Sequence, residues 1–244
     1  MTLFYKVHHK FCPENKSTFR EANTNSINQL LSKDGMQIVS ETVIVRSEEE
    51  YYDLDLNEIG ARFVNKRGLR NPPAGWLPGE IGIWVSNILA LESFLRVSTS
   101  EADICLLFES DVWLAPEGGV FIQCLNKWIR SLPEDWDYLN LYVAENLRHH
   151  YESDVHGLPN EVICKNYTEI NFPALLWSTN GAAKLLNAAK TEIHTPIDRQ
   201  VFEDSSFMGY AIKPDRHEGV SIWTAEALHN STIQHSKVRI VFPS

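Results

Sequence analysis

Four things are missing from this chain, and each absence narrows what it can be. Cysteine is sparse, four in 244 residues, and Cys12, Cys105, Cys124 and Cys164 show no Cys-x-x-Cys spacing. That argues against zinc modules and a disulfide framework, and for free thiols in a reducing compartment. Long apolar runs are absent too: nothing nears the roughly 20 residues a bilayer span needs, and no apolar stretch follows the first methionine. No transmembrane segment is expected; the cytoplasm is the expected location, and peripheral attachment at a membrane stays open. Positive charge is short, since 22 Lys and Arg against 32 Asp and Glu give a formal charge of -10. Nucleic acid and anionic membranes favour basic surfaces, so neither is expected as a general partner. Finally, no Gly-rich phosphate loop follows the first apolar segment, where the chain reads Phe11-Cys12-Pro13-Glu14. A metal-dependent nucleotidyl or phosphoryl transferase thereby loses its usual anchor.

What is present is apolar matter enough for a full core. Hydrophobic residues make up 43% of the chain, and α/β folds of this length often form one unit, so residues 1–244 are expected to be a single domain. The most informative stretch runs from Ile104 to Asp111, five apolar residues closed by Glu109-Ser110-Asp111. A short unbroken apolar run reads as a strand covered on both faces, although periodicity alone does not exclude a buried helix turn. The acids then stand at the strand's carboxyl end, where open α/β sheets bind ligands. Paired carboxylates there suit a hard cation such as Mg²⁺ or Mn²⁺ holding substrate phosphate oxygens. The plainer reading is a turn with two solvated acids.

Upstream, Leu77 to Leu95 reads as a helix entered through Pro78-Gly79. Gly79, Gly82 and Ser86 follow at helical spacing and leave one face without bulk. Either a ligand approaches that face, or the helix packs tightly there, as its many apolar residues also suggest.

These pieces, together with Glu109-Ser110-Asp111-Val112-Trp113-Leu114 and Asp135-Trp136-Asp137-Tyr138-Leu139-Asn140-Leu141, resemble the family 25 glycosyltransferases, which include lipooligosaccharide and collagen galactosyltransferases. The family pattern is Gly-Glu-x-Gly-(x)3-Ser-His, a strand ending Glu-Asp-Asp, a Tyr-x-x-Ser-x-x-Gly/Ala-Ala strand and helix, and a Pro-Val-Asp segment. Here Gly79, Glu80, Gly82 and Ser86 fill the first, Ala174 to Leu186 the third, and Pro196-Ile197-Asp198 the last, in order between about Leu77 and Asp204. Asn87 stands where the family has histidine, Ser110 replaces the middle acid, and the amino-terminal Asn-Leu and arginine pattern is absent.

The resemblance implies an α/β fold of the GT-A type, a Rossmann-like sandwich with a mixed, mostly parallel central sheet flanked by helices. It implies a metal-dependent, inverting transfer of a hexose from a nucleotide sugar, UDP-galactose or UDP-glucose first, to a hydroxyl of a glycan acceptor, as in lipopolysaccharide biosynthesis. Glu109 and Asp111 would hold Mn²⁺ or Mg²⁺, and late histidines often return to the metal in such enzymes, which nominates His235 and then His229. Gly79, Glu80, Gly82 and Ser86 would shape the donor pocket. Asp198 would take the acceptor proton, with Glu203 and Asp204 as rivals; read alone, Asp198-Arg199 is a salt-bridged loop. A non-catalytic carbohydrate-binding or assembly protein on the same fold is the second reading, because Asn87 and Ser110 depart from the pattern.

Elsewhere, Leu3–Val7, residues 36–45 and 136–143 read as strands, 17–31 as a helix, and 207–213 as the last strand. Ser178 or Thr179 would cap a helix over 181–190. The stretch from Glu145 to Lys165 is irregular and suits an acceptor loop; its histidines read as surface groups. Arg67 and Arg70 read as a solvated basic face or as contacts to donor phosphates.

Overall fold

The computed structural model describes residues 3–8, 25, 29, 37–38, 55–64, 75–76, 78–109, 112–114, 118–141, 162–164, 174–212 and 222–224. Nine strands and four helices occur among them. In chain order these are β1 (Leu3–His8), β2 (Gln37–Ile38), α1 (Pro78–Val97), β3 (Ile104–Glu109), β4 (Val112–Leu114), α2 (Gly118–Ser131) and β5 (Tyr138–Asn140). β6 (Val162–Cys164), β7 (Ala174–Ser178), α3 (Thr179–Thr191), α4 (Ile197–Glu203), β8 (Gly209–Ile212) and β9 (Ile222–Thr224) follow.

Seven strands form one mixed sheet in the order β2-β1-β3-β7-β5-β8-β6, and β4 pairs with β9 in a second, small sheet. β1 is parallel to β2 and β3, and β5 is parallel to β8. β7 runs against both β3 and β5, and β6 against β8. Five of the seven strands therefore point one way, giving a mixed α/β architecture with helices packed on the sheet.

β3 is buried along its whole length, as the unbroken apolar run predicts. Because strand side chains alternate in direction, its residues serve two cores. Cys105 and Leu107 join Leu175 and Trp177 of β7 and Tyr138 of β5 in one cluster with α1, α3 and α4. Ile104, Leu106, Phe108, Leu139 and Leu176 are equally buried but face the other way. Both faces of the central strands are covered.

α1 packs against β1, β3, α3 and α4 and is apolar nearly all round, with Trp84, Val85, Leu91 and Phe94 fully buried. Such a helix belongs in the interior. It returns to β3 through residues 98–103, a turn held by the Asp103 carboxylate, which accepts from Thr99 N–H (2.9 Å), Ser100 N–H (3.1 Å) and the Ser98 hydroxyl (3.3 Å). α1 therefore runs against β3, and its amino end stands at the strand's carboxyl end.

α3 starts where Ser178 Oγ accepts the Gly181 N–H at 3.0 Å, so Ser178 is the cap. Gly181 has no room for a side chain, since a Cβ there would overlap the Asp137 carbonyl.

Several expectations change. Of the strand expected over 136–143, Tyr138–Asn140 forms, Trp136 instead closes a turn onto the Pro133 carbonyl, and 142–143 lie outside the described residues. Asp198 lies in a helix, α4, where a loop was expected. β8 is not the last strand, since β9 follows; β6 falls inside the stretch read as irregular; and α2 and β4 were not anticipated. Of the helix expected over 17–31 only Asn25 and Gln29 are described, both helical, and of the strand over 36–45 only Gln37–Ile38. Arg67 and Arg70 lie outside the described residues. Cys105 and Cys124 are free thiols. No helix among the described residues is long and apolar enough to cross a membrane.

Candidate functional site

The chain leaves β1 for β2 on one side and later supplies β3 on the other, so strand order reverses at β1. The crevice beyond the carboxyl ends of two such strands is the usual ligand site of an open α/β sheet. Here those ends are His8 and Glu109, registered as direct neighbours.

Glu109 is 7% exposed. Counting by twos from Cys105 and Leu107 puts its carboxylate on the face that α1 covers. A charge this buried must be compensated, and Glu109 is among the residues with polar or charged partners. Beyond it the chain passes Ser110 and Asp111, which lie outside the described residues, into β4. Val112 is registered opposite Thr224 of β9, so the late part of the chain returns to the tip of β3. His235 and His229, further along, lie outside the described residues. Among the described residues no three His, Cys, Asp or Glu side chains gather to hold an ion. Glu109, a hard oxygen donor at a strand end, fits one position of a Mg²⁺ or Mn²⁺ shell, whose remaining ligands would come from undescribed residues and substrate.

The second component is the amino half of α1. With about 1.5 Å of rise per helical residue and about 3.3 Å per strand residue, Ser86 stands at roughly the height of Glu109. Gly79 lies in the first turn and Glu80 is half-buried. Gly82 and Ser86 are buried, and among the described residues Ser86 Oγ has no hydrogen-bond partner. Asn87, in the family's histidine position, is buried and donates its amide to the Ile83 carbonyl of its own helix at 2.8 Å.

Asp198 lies half-buried in the first turn of α4, and its Oδ1 accepts the Arg199 N–H at 2.8 Å. The salt-bridged loop read from the sequence is not formed: Arg199 Nε instead donates to Glu203 one turn on, at 2.6 Å. Asp204 Oδ1 accepts the Ser206 N–H in the following turn. All three carboxylates, Asp198 included, thus take part in local bonds. α4 packs on α1, and the Trp84 indole N–H donates to the Thr195 carbonyl at 3.0 Å, from a point on α1 level with the tip of β3. Asp198 and Glu109 therefore belong to the same end of the sheet.

One polar residue at this end escaped the sequence reading as a site group. Asn140, 3% exposed, closes β5 and shares a register row and face with Leu175 and Leu107, one pleat below Glu109. Its signal was an amide inside Tyr138-Leu139-Asn140-Leu141, which alternation alone presents as the wet side of a strand. At the opposite end, buried Asp137 bonds Lys184 Nζ (2.7 Å), Met208 N–H (2.7 Å) and Asn180 Nδ2 (3.4 Å), joining β5, α3 and the approach to β8. That cluster is saturated and structural.

No family model and no curated protein matches the sequence. Among solved structures, A197 from STIV is similar over 92% of this chain and 85% of its own, with 12% identity and a TM-score of 0.41. Mannose-6-phosphate isomerase from Helicobacter pylori is similar over 88% and 87%, with 13% identity and a TM-score of 0.35. Mouse xyloside xylosyltransferase 1, in its apo form, is similar over 83% and 72%, with 8% identity and a TM-score of 0.32. All three are distant likenesses, one of them to a glycosyltransferase.

Proposed function

We propose that this chain is a metal-dependent, inverting glycosyltransferase of the GT-A type, moving a hexose from a nucleotide sugar, UDP-galactose or UDP-glucose first, to a hydroxyl of a glycan acceptor. The observation that carries the reading is the buried Glu109 carboxylate at the joint tip of β1 and β3, where strand order reverses. The return of β9 to the same tip supports a late ligand such as His235.

Glu109 and Asp111 would hold the cation, and when bound it neutralises the charge that develops on the departing diphosphate. The amino end of α1 adds backbone N–H groups and the positive end of a 20-residue helix dipole. Asp198 accepts the proton of the acceptor hydroxyl as its oxygen attacks the anomeric carbon and the bond from that carbon to the phosphate oxygen breaks. The new bond forms on the opposite face, so the anomeric configuration inverts. Glu109 and Asp198 thus do separate jobs.

The test is a panel of UDP-sugars and other nucleotide sugars assayed for Mn²⁺-dependent release of the nucleotide, with Asp111→Ala and Glu109→Gln alongside. Release that needs the metal and falls about 100-fold or more in both variants is the expected result. Turnover unchanged in both variants overturns the metal assignment. The second reading, a carbohydrate-binding protein without turnover, draws on Asn87 and Ser110. Glycan binding with no nucleotide dependence would establish it, and release of pyrophosphate from a nucleoside triphosphate would instead mark a nucleotidyl transferase.

A further inference from the structure

Five residues, 192–196, join α3 to α4, and every one is held by a backbone bond. The Glu192 N–H donates to Ala188 O, while Glu192 O accepts from Gln200 Nε2 at 2.7 Å. Ile193 bonds on both sides to the passing segment, its N–H to Arg62 O (2.7 Å) and its carbonyl from Val64 N–H (2.9 Å). The His194 N–H donates to Gln200 Oε1 at 3.0 Å, Thr195 O accepts the Trp84 indole, and Pro196 O accepts the Gln200 N–H at 2.9 Å. A connector this short needs far fewer bonds merely to close. Gln200 and Trp84 are both buried, and neither side chain's polar group is replaceable there by water at low cost.

We infer that Gln200 and Trp84 are positioning residues for Asp198. The Gln200 amide ties α4 to residues 192 and 194 at the start of the turn before Asp198, and the Trp84 indole fixes Thr195 of that turn to α1 at the height of the tip of β3. Together they set the separation between the proton acceptor on α4 and the cation and donor held at β3. The inference rests on the glycosyltransferase reading and names how its base is held.

The consequence is a split in kinetics. Displacing a reacting group by about 1 Å can cost about 100-fold in rate while ground-state binding elsewhere persists. Gln200→Met keeps length and burial but removes both amide bonds; Gln200→Glu restores only the acceptor for the His194 N–H; Trp84→Phe removes only the link to Thr195. With the donor and acceptor found active in wild type, kcat is expected to fall roughly tenfold or more in Gln200→Met and Trp84→Phe, with donor KM within about threefold of wild type and an intermediate kcat in Gln200→Glu. Equal kcat in all variants, or an apparent kcat that falls only in proportion to the fraction folded, overturns the inference. The ¹³C carboxyl shift of Asp198 and the amide exchange of residues 194–199 supply a readout that needs no turnover. Both are expected to change in Gln200→Met with the fold intact, and identical spectra overturn the inference. A wild-type protein with no turnover on any donor sinks the glycosyltransferase reading instead, so the two failures are distinguishable.

Discussion

Moving a carboxylate from water into a protein interior costs several kcal/mol unless bonds replace its hydration, so a residue such as Glu109 is held where it is by its surroundings. Glu109→Gln keeps the shape and removes the charge. If a UDP-sugar binds with Mn²⁺ as proposed, holding the sugar nucleotide at about 100 times its dissociation constant would stabilise the wild type by about 2.7 kcal/mol through linkage. The expected outcome is a ligand-induced rise in Tm that is present in wild type and lost in Glu109→Gln, measured by calorimetry. Ser178→Ala removes the cap bond of α3 and is expected to cost about 1 kcal/mol in urea unfolding. Gly181→Ala is expected to cost more than the cap change, because the Asp137 carbonyl occupies the space its methyl needs. At this scale the sequence was legible where chemistry is local. Ser178-Thr179 before an alanine-rich run was readable as a cap at one of the two residues, and the structure selects Ser178. Asn140 was not, because its burial depends on which strands flank β5.

Among the elements, α1 joins core to site. Its apolar residues belong to the core, and on the proposed function its amino end lies beside the donor, so the two ends should respond differently to substitution. Leu91→Ala, in the fully buried middle of the helix, is expected to cost about 2 to 5 kcal/mol of stability by leaving a cavity. If the proposed function holds, donor KM and kcat per folded molecule should stay near the wild-type values, which separate measurement of the folded fraction and the kinetics will check. β3 and α1 were legible from the sequence because each carries a long apolar pattern with a sharp end: two acids after Phe108, a Pro-Gly turn before Glu80. α4 was missed because its seven residues offer too few turns for periodicity to register, and Pro196 before Ile197 reads as a loop although proline suits the start of a helix. β6 and β9 are three residues each, too short to stand out from their flanks.

For the whole molecule, one central sheet ties the first described strand to residues beyond 200, with β1 and β8 in the same layer. Unfolding is expected to be a single cooperative transition, with fluorescence of the buried tryptophans and far-ultraviolet circular dichroism giving coincident curves in urea. Two separated transitions would show instead that the chain divides into independent units. The order of strands also determines which end of the sheet gathers the parallel strands' carboxyl ends. β7 is inserted between β3 and β5 and runs against both, so the carboxyl ends of β1, β3, β5 and β8 share one edge while the Asp137 cluster closes the other.

The sequence by itself determined the local facts: a buried strand ended by acids, a helix with a small-residue stripe, a capped helix rich in alanine, and an acidic chain with no apolar run long enough for a helical bilayer span. These follow from side-chain spacing and composition over a few neighbouring residues. Only the tertiary structure decided that β1 and β3 lie side by side at a reversal of strand order, that Arg199 pairs with Glu203, and that Trp84 and Gln200 hold the turn before Asp198. Those are contacts between segments far apart in the chain or choices among competing partners, and their free energies depend on packing that no local pattern encodes.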